Sequence, residues 1–330
     1  MNKALKLLIV DDMHNSLMNR LDQLGISFSY QPTIQRDQII EELKSYSGII
    51  VRSKINLNAE FLSSQPQLKF IARAGSGMDN VDLDAAEKRG ILCINAAEAN
   101  ADAVGEHAVG LMLALKHRIV KSNREVVQYV WDREGNRGGE IKNSTVGIIG
   151  YGNTGSAVAR KLAGFGCKIV AYDKYKSDFS EGDVNEVSLE QLMAEADVIS
   201  FHIPLTSETK NWINLSWIEA AGKKFILLNL SRGGIMETKA VIQGLNSGKI
   251  KSFATDVLEN ERLQSFNSDE SQDLTWLNDQ DNVIVTPHVA GWSQESYVKI
   301  SGVLANKVEA YVKGKKNMAD YRHDYRQIVG

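Results

Sequence analysis

Short apolar runs alternate with amphipathic stretches along the first hundred residues of this chain. The runs are four or five residues long, lie at residues 7–10, 26–30, 48–51, 69–72 and 91–94, and have the length expected of buried strands. Stretches with helical periodicity lie between them, at residues 16–24, 38–43, 59–62 and 83–88. Strands that alternate with helices in this way predict an α/β domain with a parallel sheet.

The same alternation returns after a long predicted helix at residues 101–118, whose apolar positions fall on one face. Further strands are predicted at residues 146–149, 168–172, 196–201, 225–230, 252–255 and 282–286, with a helix at 157–163. A last amphipathic helix is predicted at 294–311, and the polar, acidic stretch 263–281 is predicted to be a surface loop. The fold class is therefore predicted to be α/β, with two doubly wound parallel-sheet domains.

The length of 330 residues is typical of two domains. Only about 40 residues follow His288, too few to form a third domain. The last helix is therefore predicted to return to the first domain, which makes that domain discontinuous in sequence. We predict a first domain formed by residues 1–99 and 290–330, and a second domain formed by residues 100–289.

The segment VGIIGYGNTG combines a predicted strand with three glycines in G-x-G-x-x-G spacing. Gly150 permits a tight turn from strand to helix, Gly152 lets the backbone approach a pyrophosphate, and Gly155 permits close helix packing. The next strand ends at Asp173, 18 residues beyond Gly155, where a carboxylate can accept a hydrogen bond from a ribose 2′-hydroxyl. Because strand, glycines, helix and acid agree, the segment predicts a dinucleotide site, and Asp173 favours NAD over NADP.

Composition argues against several other classes of function. The net charge of −3 gives no electrostatic footprint for nucleic acid or for an anionic membrane. The N-terminal apolar run, residues 5–10, is too short for a signal peptide or a membrane helix. Cys93 and Cys167 are isolated, and no grouping of His, Cys and Asp has metal-ligand spacing. We therefore expect a cytoplasmic protein with no metal and with no nucleic-acid or membrane partner.

Three charged residues follow predicted strands in the second half of the chain, at the edge where open α/β sheets bind ligands. Arg232 can clamp a carboxylate with two hydrogen bonds, and His288 can give or take a proton near neutral pH. Glu261 can orient that imidazole and stabilise its charged form. Each residue taken singly is more often structural, as a surface ion pair, a solvated loop acid or a hydrogen-bonded histidine. Together, downstream of a dinucleotide site, they predict hydride transfer coupled to proton transfer on a carboxylate-bearing substrate.

Six motifs, in this order, resemble those of the D-isomer-specific 2-hydroxyacid dehydrogenases over nearly the whole chain. They are RAGSGMDNVD (73–82), NAAEANADAVGEHAVGLMLAL (95–115), VGIIGYGNTG (146–155), LSRGG (230–234), DVLENE (256–261) and TPHVAG (286–291). The resemblance implies that the first domain is a flavodoxin-like substrate domain and the second a Rossmann-type NAD-binding domain, with a homodimer formed through the NAD-binding domains. Arg262 and Ala97 depart from the family pattern, which usually has proline at both positions.

The resemblance also assigns roles to single residues. It implies that Arg232, Glu261 and His288 are the catalytic residues of an NAD-dependent oxidoreductase. It implies that the cofactor-binding residues are Gly150, Gly152, Asn153, Thr154, Gly155, Asp173, Leu230, Ser231, Arg232, Asp256, His288 and Gly291. It implies that the substrate-binding residues are Ser76, Gly77, Asn100 and Arg232. His202 and Pro204 follow a strand and are predicted to line the cofactor loop, although a structural role in that loop is equally open.

Within the family, the motifs most resemble the branch that oxidises 3-phosphoglycerate to 3-phosphohydroxypyruvate in serine biosynthesis. Arg52 and Ser53 follow a strand and could hold the phosphate of that substrate, whereas the alternative for Arg52 is a surface ion pair. Reductases of glyoxylate, hydroxypyruvate or other small 2-keto acids share most of the motifs and stay an alternative. An NAD-sensing corepressor, which binds partners instead of turning over substrate, is the alternative of another class. The chain is also expected to be a short form without a C-terminal regulatory domain.

Overall fold

The computed structural model describes residues 5–314, and twelve strands and twelve α-helices lie in this range. The strands are β1 (Lys6–Ile9), β2 (Ser27–Tyr30), β3 (Gly48–Val51), β4 (Phe70–Arg73), β5 (Leu92–Ile94), β6 (Thr145–Ile149), β7 (Lys168–Tyr172), β8 (Val184–Glu186), β9 (Val198–Phe201), β10 (Phe225–Asn229), β11 (Ile250–Thr255) and β12 (Val283–Val285). The helices are α1 (Asn15–Gln23), α2 (Arg36–Glu42), α3 (Ala59–Ser63), α4 (Leu83–Lys88), α5 (Ala101–Lys116), α6 (Ile119–Val127), α7 (Asn153–Leu162), α8 (Leu189–Glu195), α9 (Leu215–Ala220), α10 (Thr238–Asn246), α11 (Ser268–Asp279) and α12 (Gln294–Val312).

The described residues divide into two compact units. The first unit contains the chain up to Asn100 together with the chain from Ser293 onward, and the second is Ala101–Trp292. The first unit is therefore formed by two separate pieces of sequence. The assignment of residues 1–99 and 290–330 to substrate binding stays a prediction.

The first unit is built around a five-stranded parallel sheet with the order β2-β1-β3-β4-β5, which is the flavodoxin-like order. One face packs on α1 and α12 through residues such as Leu17, Leu304 and Val308. The opposite face packs on α2, α3 and α4 through residues such as Ile39 and Leu62. Burial on both faces explains why the central strand β3 is a continuous apolar run in the sequence, whereas the edge strand β2 is not.

The second unit is built around a seven-stranded parallel sheet with the order β12-β11-β10-β9-β6-β7-β8. The chain enters at β6, moves outward through β7 and β8, and then crosses to β9 on the other side of β6. The strand order therefore reverses between β6 and β9, and ligands of open α/β sheets bind outside the carboxyl ends of the strands at such a point. The predicted fold class, two doubly wound parallel-sheet domains, is confirmed.

The prediction of a surface loop at residues 263–281 was wrong, because most of that stretch forms α11. A capping box starts the helix: the Asn267 side chain accepts from the Glu270 backbone, and the Glu270 side chain accepts from the Asn267 backbone. Leu277 is the residue of this helix that is fully buried, and Lys239 on α10 pairs with Asp269 at 2.9 Å. A polar helix with one fully buried apolar residue has a hydrophobic periodicity too weak for the helix to be recognised from sequence.

The polar stretch that follows α5 also contains a helix that the apolar pattern does not indicate. Arg118 takes a left-handed backbone conformation, φ 53°, which ends α5 and starts α6. None of the α6 side chains is buried in this chain. No helix within residues 5–314 combines the length and apolar character needed to cross a membrane.

Candidate active site

The turn between β6 and α7 leaves no room for side chains at two of its glycines. Gly150 has φ +93°, and a Cβ there would lie 2.5 Å from the carbonyl oxygen of His202. A Cβ at Gly155 would lie 1.9 Å from the carbonyl oxygen of Gly150. Because both contacts are with backbone atoms that cannot rotate away, α7 can start this close to the sheet only with glycine at these positions.

The first turn of α7 presents backbone donors beside the strand-order reversal. Gly152 is the N-cap, and no side chain caps the helix. A Cβ at Gly152 would meet nothing within 4 Å, so the space in front of the helix start is open. Asn153 and Thr154 occupy the first turn and are partly exposed. An uncapped helix start with open space in front of it fits the pyrophosphate of a dinucleotide.

Asp173 follows β7 and is anchored by the backbone of two loops. One carboxylate oxygen accepts from the Tyr151 amide at 2.7 Å, and the other accepts from the amides of Tyr175 at 2.9 Å and Lys176 at 3.1 Å. A carboxylate has about four acceptor positions, so these three bonds leave one for a ribose hydroxyl. Next to it, the Lys174 ammonium is paired with Glu208.

The loop after β9 places His202 inside the unit. Its side chain is 8% exposed, its Nε2 lies 2.8 Å from the Ser200 hydroxyl, and its Nδ1 is buried with no hydrogen-bond partner. Burial lowers the pKa of His202 to about 4, so the imidazole is neutral at physiological pH. Further along, the Pro204 carbonyl accepts from the Thr209 hydroxyl at 2.7 Å. These contacts hold the loop beside the glycine turn, which the His202 carbonyl borders, and the cofactor role of His202 and Pro204 stays a prediction.

Asn229, which the sequence pattern did not single out, shapes the loop after β10. Its side-chain oxygen accepts from the Ser231 amide at 3.1 Å and the Ser231 hydroxyl at 2.9 Å, and its side-chain nitrogen donates to the Arg232 carbonyl at 3.0 Å. One Arg232 nitrogen donates to the Ser231 carbonyl at 2.7 Å. Leu230 and Ser231 are buried, so the loop carries Arg232 from a fixed base.

Asp256 follows β11 and ties down the loop that carries His288. Its carboxylate is 1% exposed and accepts from the Thr286 hydroxyl at 2.6 Å, the Val289 amide at 2.9 Å and the Ala290 amide at 2.7 Å. Nε2 of His107 lies 3.1 Å from the same Thr286 hydroxyl. A buried carboxylate with three donors is a rigid anchor, so Asp256 holds the Thr286 side chain before His288 and the backbone after it.

His288 and Glu261 form a hydrogen-bonded pair at the end of the second sheet. Nδ1 of His288 lies 2.9 Å from a Glu261 oxygen, and the two side chains are 49% and 44% exposed. A carboxylate that accepts from Nδ1–H fixes the tautomer and leaves Nε2 for proton exchange. Arg232, Glu261 and His288 follow β10, β11 and β12, which are neighbours in the sheet. The fold of the second unit therefore places the loops that carry these three residues at the carboxyl ends of neighbouring strands.

The predicted substrate residues of the first unit lie beyond the carboxyl ends of β3, β4 and β5. The Arg52 amide donates to Asp11 at 2.6 Å, and Ser53 is exposed. The Ser76 hydroxyl donates to the Asn100 side-chain oxygen at 2.5 Å, and Gly77 is buried. Since parallel strands end at one edge, the sheet gathers these residues there.

Sequence reasoning missed three further residues at this edge: Asp12, Tyr30 and Tyr297. Both tyrosine hydroxyls donate to Asp12, Tyr30 at 2.9 Å and Tyr297 at 2.7 Å. Asp12 follows β1 and Tyr30 ends β2, so the strand-edge rule could have found these two. Tyr297 belongs to α12, nearly 290 residues away in sequence, and no local pattern indicates its partner. Among the residues that the structure describes, no group of His, Cys, Asp or Glu could hold a metal ion.

The family described as "D-isomer specific 2-hydroxyacid dehydrogenase, NAD binding domain" matches residues 109–290, more than half of the chain. The chain belongs to the D-isomer specific 2-hydroxyacid dehydrogenase family. Its second unit contains the NAD-binding domain of that family, in agreement with the uncapped helix start and the anchored Asp173.

Relatives in this family carry different names. The chain is 31% identical to the D-3-phosphoglycerate dehydrogenase of Archaeoglobus fulgidus over 94% of its own length and 58% of the relative. It is 33% identical to the hydroxypyruvate reductase of Thermotoga maritima, over 88% of its own length and 92% of the relative. The crystal structure of D-lactate dehydrogenase from Aquifex aeolicus, complexed with NAD and lactic acid, matches with a TM-score of 0.83 at 29% identity, over 94% of this chain and 96% of that one. The chain thus spans little more than half of the phosphoglycerate dehydrogenases that it matches, and nearly all of the other two proteins.

Proposed function

We propose that the chain is an NAD-dependent D-2-hydroxyacid dehydrogenase that interconverts 3-phosphoglycerate and 3-phosphohydroxypyruvate, an early step of serine biosynthesis in the cytoplasm. The observation that carries the proposal is the pair of His288 and Glu261, 2.9 Å apart, on the strand edge that also carries Arg232. NAD would be held by the start of α7 and by Asp173. When bound, it supplies the acceptor or donor of a hydride.

The residues of the second unit then have separate tasks. In oxidation, Nε2 of His288 takes the proton of the C2 hydroxyl, and in reduction the same atom returns it. Glu261 accepts from Nδ1 and stabilises the imidazolium that forms. Arg232 binds the substrate carboxylate and the carbonyl oxygen that develops at C2. Asp256 keeps the His288 loop in place through the Val289 and Ala290 amides.

Two anionic groups of the substrate are assigned to residues of the first unit. Backbone amides near Ser76 and Gly77 are proposed to hold the substrate carboxylate, and the Asn100 side chain fixes Ser76. Arg52 and Ser53 are proposed to bind the phosphate, because a guanidinium beside a hydroxyl suits that group. The Lys54 ammonium donates to the Pro32 carbonyl, so the proposal rests on Arg52 and Ser53. This choice of substrate agrees with relatives named D-3-phosphoglycerate dehydrogenase.

A reductase of small 2-keto acids is the second candidate. The hydroxypyruvate reductase of Thermotoga maritima matches over 92% of its length, whereas the phosphoglycerate dehydrogenases carry further sequence that this match does not reach. The deciding experiment measures kcat/KM with NAD or NADH for 3-phosphoglycerate, 3-phosphohydroxypyruvate, hydroxypyruvate, glyoxylate and D-lactate. The proposal expects the phosphorylated pair to give the highest values. A higher value for glyoxylate or hydroxypyruvate would favour the second candidate, and no turnover of any substrate would favour a corepressor-like binding protein.

A homodimer is proposed to form through the second unit. The end of α6 and the residues that follow it expose apolar side chains: Val126 is 51% exposed, Val127 71%, Tyr129 99% and Trp131 80%. A patch of this kind is typical of a protein interface.

The proposed dimer can be tested by sedimentation velocity, which should give twice the chain mass of 36.5 kDa. The double variant Val127→Glu/Trp131→Glu should sediment as a monomer, while Val312→Glu, at a 50% exposed position of α12, should stay dimeric. A monomeric wild type would contradict the proposal.

A further inference from the structure

The carboxylate of Asp12 holds two tyrosine hydroxyls at the edge of the first sheet. One oxygen accepts from Tyr30 at 2.9 Å, and the other accepts from Tyr297 at 2.7 Å. The Tyr297 ring also meets the His14 ring edge-on, with centroids 5.7 Å apart. The hydroxyl of Tyr297 is therefore fixed by Asp12, which follows β1, and its ring by His14, the N-cap of α1.

Arg52 lies beside this fixed ring. Its guanidinium carbon is 5.7 Å from the centroid of Tyr297, within the range of a cation–π interaction. The Arg52 amide donates to Asp11 at 2.6 Å, and its carbonyl accepts from the Arg73 side chain at 3.1 Å. The main chain of Arg52 is therefore held on both sides, and the Tyr297 ring lies against its guanidinium.

The contact persists over a wide range of pH. Burial, together with the hydrogen bond to Asp12, raises the pKa of Tyr297 to about 12, so its hydroxyl remains a donor. The two tyrosine donors lower the pKa of Asp12, so its carboxylate remains an acceptor. Neither Tyr297 nor Asp12 changes its charge near neutral pH, so the hydrogen bond that fixes the Tyr297 ring is maintained.

We propose that Tyr297 is a specificity-determining positioning residue, whose ring, anchored through Asp12 and Tyr30, orients the Arg52 guanidinium toward the anionic group at the far end of the substrate. This inference rests on the proposed function, in which that group is a phosphate. A small keto acid that lacks a second anionic end makes no use of Arg52. Tyr297 therefore affects the preference for one substrate over another. The proton transfer at C2 depends on residues of the second unit.

The test is a ratio, kcat/KM for 3-phosphohydroxypyruvate divided by kcat/KM for glyoxylate. Tyr297→Leu removes the ring and should lower this ratio about three- to tenfold, as expected for a lost cation–π contact. Tyr297→Met also removes the ring but keeps a long apolar side chain, and it should lower the ratio by a similar factor. This variant replaces Tyr297→Leu in the test if the leucine variant folds poorly. Tyr311→Leu is the matched control, because Tyr311 is on the same helix and packs on Phe70 at 4.8 Å between ring centroids; it should lower the melting temperature and leave the ratio unchanged.

A double-mutant cycle separates the failure of this inference from failure of the substrate assignment. Arg52→Ala should lower the ratio about ten- to a hundredfold, as expected for a lost charged hydrogen bond, and Tyr297→Leu should then lower it no further. If Arg52→Ala lowers the ratio but neither Tyr297 variant does, the inference is overturned and the phosphate assignment stands. If Arg52→Ala leaves the ratio unchanged, the phosphate assignment itself fails. Equal losses for both substrates in the Tyr297 variants would make that residue merely structural and would also overturn the inference.

Discussion

His288 takes a left-handed backbone conformation, φ 55°, which costs a residue with a Cβ about 1 kcal/mol or more. The conformation is maintained because Asp256 accepts the next two amides, from Val289 and Ala290. A buried carboxylate thus offsets the strain and aims the imidazole, while Glu261 sets its tautomer. The sequence indicated His288 and Glu261 from their places after strands, whereas Asp256 was indicated by the family resemblance alone, as a cofactor position. The sequence could not indicate Asn229 or Tyr297, whose roles depend on partners that only the folded chain brings near.

The pair of His288 and Glu261 gives a prediction about the rate of oxidation. In Glu261→Gln the amide oxygen can still accept from Nδ1 of His288, but the negative charge that stabilises the imidazolium is lost. Because the imidazolium forms when His288 takes the C2 hydroxyl proton, kcat/KM for oxidation should fall about tenfold or more, equivalent to ~1.4 kcal/mol. An unchanged kcat/KM in Glu261→Gln would remove Glu261 from the proton-transfer step.

Asp173 gives a prediction about cofactor choice. Its carboxylate should hydrogen-bond a free ribose hydroxyl and repel a 2′-phosphate, so kcat/KM should be higher with NAD than with NADP. Asp173→Asn should reduce this preference about tenfold or more, equivalent to ~1.4 kcal/mol. Lys174→Ala is the control: because Glu208 already pairs with that ammonium, its loss should change the preference little. Equal use of NAD and NADP by the wild type is the result that the account does not allow.

At the scale of elements, the strands were the most predictable part of the fold. The runs at 48–51 and 168–172 coincide with β3 and β7, because strands buried on both faces are apolar along most of their length. Surface helices were less predictable. In α11 a single residue, Leu277, is fully buried, and the helix depends on its capping box, a signal that the acidic composition concealed.

The capping box of α11 can be tested by hydrogen exchange. In Asn267→Ala the Glu270 amide loses its acceptor, which costs a helix about 1 kcal/mol. Amides of Ser268–Asp279 should then exchange about fivefold faster, the equivalent of that energy. Amides of α12, which has its own capping box at Ser293, should keep their wild-type rates and serve as the internal control. Unchanged exchange in α11 would show that packing on α10 alone maintains the helix.

At the scale of the whole molecule, two parallel sheets divide the task that we propose. The second unit contains the NAD-binding domain and the hydrogen-bonded pair of His288 and Glu261, to which we assign proton transfer. The first unit contains the sheet edge with Arg52 and Tyr297, to which we assign anion binding. The chemistry could be predicted from motifs, because it depends on a few residue types at strand ends. The choice among phosphoglycerate, hydroxypyruvate and lactate could not be predicted, since relatives with all three names match this chain and the motifs do not separate them.

The central claim is that His288 exchanges the proton in an NAD-dependent oxidation of 3-phosphoglycerate. It is tested most directly by the rate of NADH formation at saturating NAD with 3-phosphoglycerate as the only other substrate. The wild type should turn over, and His288→Asn, which keeps the size of the side chain but cannot take a proton, should lose about a hundred- to ten-thousandfold in kcat/KM. His117→Asn, at an exposed position of the same unit, should match the wild type. A wild type that forms no NADH, or a His288→Asn variant that keeps its rate, would contradict the account.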